Sequence, residues 1–125
     1  MATIALTKDN FNETIENNDT VIIDFWASWC GPCKSFAPTF DTASDNHSEI
    51  VFGKVDTESQ QELAQACNIR SIPTLMIFRE KILLYSQAGA LSPSQLEDII
   101  GKAKDLDMDQ VREEIRKKES ESKPQ

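Results

Sequence analysis

The chain has 125 residues, enough for one domain with a hydrophobic core of its own. Its formal net charge is −8, and this acidic excess argues against binding to nucleic acid or to an anionic membrane, since both require a basic surface. Three cysteines are too few, and odd in number, for the disulfide framework of a small secreted protein. The composition is therefore that of an acidic globular domain.

Neither a signal peptide nor a membrane span is expected. The first ten residues contain no cationic start followed by a long apolar run. No apolar stretch approaches the ~20 residues that a membrane-spanning helix needs. We therefore expect the chain to act in the cytoplasm, without contact to a membrane.

The first half of the chain alternates between short apolar runs and segments with helical periodicity. The run from Val21 to Phe25 contains one polar residue, Asp24, and is typical of a central strand covered on both faces. Shorter runs at residues 3–6 and 50–55 predict two further strands. The predicted helices begin at Asn10, at about Pro32, and at the capping-box sequence from Ser59 to Glu62.

The second half predicts a hairpin followed by a helix. Residues 74–78 and 82–86 read as two strands, and the connection between them is so short that they must be antiparallel. The run Ser92-Pro93-Ser94-Gln95 combines an N-cap serine, a proline at the first helical position and a glutamine three residues after the cap. The element order βαβαβαββα predicts an α/β fold with a mixed central sheet flanked by helices.

Residues 105–125 are predicted to form a charged helical tail after a domain that spans residues 1–104. Met108, Val111 and Ile115 share one stripe of the tail helix, and disorder is expected from Ser120 onward. The stripe is compatible with docking on the body, with dimerisation, with a partner contact or with a solvated helix. Because the tail holds none of the candidate site residues, we expect it to be dispensable for the chemistry.

The most informative motif is Trp29-Cys30-Gly31-Pro32-Cys33-Lys34, between the central strand and the next helix. Two cysteines with two residues between them can close a small disulfide ring, and this placement is typical of a redox-active pair. Cys30 would lie at the helix N-terminus, where free N–H groups and the helix dipole favour a thiolate. We therefore predict that Cys30 is the exposed nucleophile and Cys33 the shielded resolving thiol.

Three other interpretations of the cysteine pair are weaker, and one of them, a merely buried pair, would not need the flanking Trp29 and Lys34. A zinc site needs further ligands, and Cys67 and His47 are the remaining candidates of suitable type. A purely structural disulfide is disfavoured in a reducing compartment. Cys67 itself is either a small buried apolar residue or a regulatory thiol.

The cysteine motif and three further segments resemble the thioredoxin family, over roughly residues 3–103. The segments are Asp24-Phe25-Trp26-Ala27-Ser28-Trp29, Arg70-Ser71-Ile72-Pro73-Thr74 and Ala88-Gly89-Ala90-Leu91-Ser92. The resemblance implies the thioredoxin fold and a protein disulfide reductase that acts by dithiol–disulfide exchange in cell redox homeostasis. It also implies that no cofactor is bound, and that NADPH supplies electrons through a flavin-containing thioredoxin reductase.

The same resemblance implies roles for residues outside the cysteine pair. Asp24 would lie buried beneath the cysteines and assist proton transfer at Cys33, with Lys54 near it; a strand-end carboxylate and a solvated strand lysine are the alternatives. The Ile72–Pro73 bond would be cis, and the Ile72 backbone would hydrogen-bond an extended client segment. The predicted substrate-binding residues, which surround Cys30, are Trp29, Gly31, Pro32, Thr57, Ile72, Pro73, Gly89 and Ala90.

Two functional hypotheses follow. The first is a monomeric disulfide reductase whose partners are thioredoxin reductase and client proteins with disulfides. The second is a binding module with the same fold, in which the groove holds a partner and redox turnover is incidental. The intact cysteine pair favours the enzyme, whereas the additional tail favours the binding module.

Overall fold

The computed structural model describes residues 2–122 and confirms the predicted order of elements. The strands are β1 (Thr3–Ala5), β2 (Thr20–Trp26), β3 (Val51–Asp56), β4 (Thr74–Arg79) and β5 (Ile82–Ala88). The helices are α1 (Phe11–Asn17), α2 (Gly31–Asn46), α3 (Gln61–Ala66), α4 (Pro93–Asp105) and α5 (Met108–Ser122). Within residues 2–122, no helix is both long and apolar enough to cross a membrane.

The five strands form one mixed sheet in the order β1-β3-β2-β4-β5. Strand β3 pairs in parallel with β1 and with β2, whereas β4 is antiparallel to both β2 and β5. Strand β2 is central, and every residue in it except Trp26 is buried, as its continuous apolar run predicts.

Successive residues of β2 face opposite sides of the sheet and meet different helices. Ile22 packs into a cluster with Phe36 and Phe40 of α2 and with residues of α4. Ile23 belongs to a second cluster, which includes residues of α1 and α3 on the opposite face. Because side chains alternate along a strand, Asp24 lies on the same face as Ile22, under α2. This register places a carboxyl group beneath the helix that carries both motif cysteines.

One of the two predicted capping boxes is confirmed and the other is wrong. At Ser92 the side chain accepts from the Gln95 N–H and the Gln95 side chain accepts from the Ser92 N–H, so α4 starts as predicted. Helix α3 instead has Gln60 at its N-cap, with no side-chain cap. The reason is local competition, because Ser59 donates to the carbonyl oxygen of Asp56 and so belongs to the preceding turn.

We expect Ser92→Ala to lower the free energy of unfolding by about 1 kcal/mol, because the N–H groups of the first turn of α4 lose their side-chain acceptor. Urea denaturation followed by circular dichroism measures this change. Ser94→Ala is the matched control, since it lies in the same turn but is not the N-cap. Equal losses in the two variants would show that the cap does not stabilise α4.

Helix α5 extends further than the sequence predicts and contacts the body of the domain. It continues to Ser122, although disorder is predicted from Ser120; the remaining residues of that prediction, 123–125, lie outside the described part of the chain. Met108 is 4% exposed, so the first residue of the predicted apolar stripe is buried. Of the alternatives for this stripe, the burial of Met108 favours docking on the body.

Candidate active site

The motif cysteines lie at the start of α2, where the sequence places them. Cys30 is the N-cap residue with an extended backbone, and its Sγ accepts a hydrogen bond from the Cys33 N–H at 3.2 Å. The two residues form a disulfide, with their Cα atoms 5.2 Å apart. Pro32 lies in the first turn, where its missing N–H removes no intrahelical hydrogen bond. The helix start therefore brings the sulfur of Cys30 against the Cys33 N–H, which has no intrahelical acceptor.

The two sulfur atoms are similarly buried but have different surroundings. Cys30 is 5% exposed and Cys33 is 3% exposed, so exposure alone does not distinguish a nucleophile from a resolving thiol. The Cys30 Sγ lies 3.8 Å from the carbonyl oxygen of Ile72, on the side where a client strand is predicted. Cys33 instead lines a cavity that it shares with Asp24. The two thiols therefore differ in the groups that surround them and not in their exposure.

Asp24 carries a buried carboxyl group. It is 1% exposed, and neither carboxyl oxygen has a hydrogen-bond partner among the described residues. Burial raises the pKa of Asp24 from 3.8 to about 7, while the charge of Lys54 opposes this rise and that of Asp41 adds to it. A pKa near neutrality lets the group both accept and donate a proton.

Lys54 lies where the resemblance implies, next to Asp24. The two residues are register partners of the parallel pair β2 and β3. The Lys54 Nζ is 5.4 Å from the centroid of the Trp26 ring. Asp24, Lys54 and Cys33 line one cavity of about 270 Å³. Residues from two strands and one helix thus bring Asp24, Lys54 and Cys33 into a single pocket beneath the disulfide.

A groove of about 380 Å³ runs beside the cysteine pair. Of the predicted substrate-binding residues, Trp29, Thr57 and Ile72 line it. Trp29 is 66% exposed, and its indole N–H donates to the Glu58 carboxylate. The sequence did not predict the other wall, which comes from α3 and from the loop that follows it: Gln61, Ala64, Gln65, Ile69, Arg70 and Ser71.

The remaining predicted substrate-binding residues lie outside the lining of this groove. The Ile72–Pro73 bond is cis, as the resemblance implies, and the Gly89 N–H donates to the Pro73 carbonyl oxygen at 2.8 Å. Gly89 has a φ of 117°, which only glycine adopts without strain. This glycine therefore supports the proline loop by its backbone. Three other predicted residues are exposed beside the site: Gly31, Pro32 and Ala90.

Cys67 is a free thiol at the C-terminal end of α3. It is half-buried and packs against the apolar cluster between the sheet, α1 and α3. Burial raises the pKa of this thiol, so the reactive thiolate is disfavoured at neutral pH. Of the two interpretations of Cys67, these properties favour the small apolar residue.

A two-cysteine disulfide at a helix start, above a carboxyl group that titrates near neutrality, is the arrangement of a dithiol–disulfide oxidoreductase. The family model described as Thioredoxin matches residues 2–102 of this chain. The chain therefore belongs to the thioredoxin family, whose members act by dithiol–disulfide exchange through such a Cys-Gly-Pro-Cys site.

Similar proteins agree with this assignment. A protein of Streptomyces coelicolor named thioredoxin 2 is 51% identical over 121 residues, which cover 97% of this chain and 90% of that protein. Thioredoxin C-3 of Corynebacterium nephridii is 42% identical over 95 residues, covering 75% of this chain and 66% of that protein.

The fold is also found in solved thioredoxin structures. Plasmodium falciparum thioredoxin has a TM-score of 0.74 and 35% identity, covering 80% of this chain and 97% of its own. A mutant thioredoxin of Halobacterium salinarum has a TM-score of 0.77 and 27% identity, covering 84% of this chain and 93% of its own.

Proposed function

We propose that this chain reduces client disulfides with Cys30 as the nucleophile and Cys33 as the resolving thiol. The Cys30 thiolate attacks one sulfur of the client disulfide; that bond breaks, a mixed disulfide forms, and the other client sulfur leaves as a thiolate. Cys33 then attacks Cys30, releases the second client thiolate and closes the Cys30–Cys33 disulfide. The client gains two electrons in total, and the dithiol of the chain loses them.

The observation that carries the proposal is the cavity that Cys33 shares with Asp24. The resolving thiol must lose a proton before it can attack, and Asp24 is the buried group with a pKa near neutrality that can accept it. Lys54 is the register partner of Asp24, and its positive charge stabilises the ionised carboxylate that accepts the proton from Cys33. No bound cofactor is required, because the two thiols hold both electrons.

Client recognition is assigned to the groove and to the loop before β4. An extended client segment would hydrogen-bond the backbone of Ile72, which lies next to the Cys30 sulfur, as an added strand does. Trp29 and Thr57 would contact the client side chains beside its disulfide. The exposed residues Gly31, Pro32 and Ala90, together with the Pro73–Gly89 contact, complete the surface around Cys30.

The oxidised chain must be reduced again by a partner. A flavin-containing thioredoxin reductase that takes electrons from NADPH is the partner proposed here, and the chain is proposed to act as a monomer in the cytoplasm. Membership of the thioredoxin family supports reduction by such a reductase. The acidic net charge of the chain disfavours binding to nucleic acid or to anionic lipid.

We expect NADPH consumption in a mixture of the chain, a flavin-containing thioredoxin reductase and insulin, at a rate that depends on insulin disulfides. The double variant with Cys30→Ser and Cys33→Ser should consume none, because it has no dithiol to oxidise. Cys67→Ser is the matched control and should retain the native rate. A binding module would give the opposite result, with insulin bound and no NADPH consumed.

A further inference from the structure

The turn between β4 and β5 has an unfavourable backbone. Glu80 has a φ of 51° and Lys81 a φ of 71°, so both central residues are left-handed. Hairpins with two such residues favour Asn-Gly or Asp-Gly, because other side chains crowd the backbone there. This turn contains neither asparagine nor glycine, so contacts from outside the hairpin must stabilise it.

The turn lies at the end of the sheet opposite the cysteine pair. Strand β4 is antiparallel to β2, so Arg79 pairs with Thr20 at the start of β2, whereas Thr74 pairs with Phe25 near the site. Contacts that hold the turn therefore act at the far end of the hairpin from Pro73.

Two contacts hold Glu80. Its N–H donates to the carbonyl oxygen of Asp19 at 2.7 Å, which ties the turn to the residue before β2. Its carboxylate accepts from the Arg112 guanidinium at 2.5 Å, and the same guanidinium contacts Asp109 at 2.5 Å. Arg112 belongs to α5, so the tail helix directly contacts the left-handed residue.

Arg79, the last residue of β4, fixes the segment that leads to α5. Its guanidinium donates to the carbonyl oxygens of Ala103, Lys104 and Leu106, at 3.0, 3.0 and 2.7 Å. These carbonyls lie at the C-terminal end of α4 and just beyond it, where they lack intrahelical partners. The burial of Met108 anchors the first turn of α5 beside this junction.

We propose that residues 106–112 form a clasp that holds the β4–β5 turn in its left-handed backbone and keeps β5 paired. Strand β5 is an edge strand: within residues 2–122 it pairs with β4 alone, in a register interrupted near Ile77 and Phe78. Edge strands with few buried residues open at low free energy. The clasp lies beyond residues 2–102, the part of the chain that matches the family model.

The clasp predicts a local effect of Arg112→Gln. Native-state hydrogen exchange of the backbone amides at residues 80–83 should become about three- to tenfold faster, because the turn opens more often without the charge-assisted hydrogen bond. The Gly89 amide, which bonds Pro73 at the site end, should keep its native rate. Insulin reduction should also be unchanged.

Arg116→Gln is the matched control. It removes the same charge from α5, but its guanidinium pairs with Glu113 of the same helix and not with the hairpin. A second comparison is Glu80→Gln, which removes the charge from the turn side of the same contact. In that background Arg112→Gln should no longer speed exchange at residues 80–83, because the contact between α5 and the turn is already lost.

Three results would overturn the clasp. The first is equal exchange at residues 80–83 in Arg112→Gln and Arg116→Gln. The second is an acceleration that also reaches the Gly89 amide, which would indicate global destabilisation rather than local opening. The third is a full effect of Arg112→Gln in the Glu80→Gln protein, since Arg112 would then act through a partner other than the turn.

Discussion

Cys30→Ser should abolish insulin reduction, whereas Cys33→Ser should attack client disulfides once and then stop as a mixed disulfide. Serine is not a nucleophile toward sulfur at neutral pH, so the first variant cannot start the reaction. The second variant retains the thiolate at the helix N-terminus but has no group to resolve the covalent intermediate. Turbidity of reduced insulin measures turnover, and intact mass spectrometry under non-reducing conditions detects the trapped client.

The assignment of Cys30 as nucleophile and Cys33 as resolving thiol rests on where each lies at the start of α2, because the two cysteines are similarly buried. Alkylation of the reduced native protein with limiting reagent should therefore modify Cys30 first, since its thiolate is favoured by the start of α2. Cys67→Ser serves as the control for non-specific labelling. Preferential alkylation of Cys33, or native turnover by Cys30→Ser, would contradict the assignment.

Asp24→Asn should stabilise the folded protein above neutral pH and slow its turnover. The pKa of Asp24 is raised from 3.8 to about 7 by burial, so the folded state favours the protonated acid. Ionisation therefore costs stability increasingly between about pH 4 and pH 7, and the cost is constant above that range. A shift of this size corresponds to about 4 kcal/mol for a group that is 1% exposed.

Asparagine carries no charge, so Asp24→Asn should be about 2–4 kcal/mol more stable than the native protein at pH 8. The two proteins should differ little at about pH 4, where Asp24 is protonated in the folded state. Urea unfolding at several pH values measures this difference. Insulin reduction should fall at least about tenfold, because the proton acceptor for Cys33 is lost.

Asp41→Asn is the matched control for the second prediction. It removes a nearby carboxylate whose charge raises the pKa of Asp24, so it should lower that pKa slightly and leave turnover close to native. The Asp24 carboxyl can be followed by NMR titration in both the native protein and this control. An ordinary carboxyl pKa together with native kinetics in Asp24→Asn would remove Asp24 from the mechanism.

Features that depend on neighbouring residues in the chain were predictable from sequence. The continuous apolar run of β2, the cysteine pair at the start of α2 and the cap at Ser92 all arise from interactions within a few residues. The wrong prediction of a capping box at Ser59 is also a local matter. The Ser59 hydroxyl could either cap α3 or hydrogen-bond the preceding turn, and it donates to the Asp56 carbonyl oxygen of that turn. Local patterns identify candidate caps, but they do not choose between competing partners.

Features that depend on packing were not predictable in the same way. The wall of the groove comes from α3, whose Gln61 and Gln65 look like ordinary solvated helix positions in the sequence. The contact between Arg112 and Glu80 joins residues 32 positions apart, and no spacing rule indicates such a pair. Both depend on where the sheet places α3 and α5 relative to distant strands.

The chemistry of this protein follows from the spacing of Cys30 and Cys33 and from the helix start beside them, because both are local properties of the chain. The proton-transfer properties of the site depend instead on contacts between distant segments of the chain. The pKa of Asp24 depends on the desolvation that the packed sheet and α2 impose and on the neighbouring charge of Lys54, which β3 brings alongside. An aspartate in an apolar run shows that a carboxyl group is present. Its burial and its neighbours determine the pH at which that group ionises.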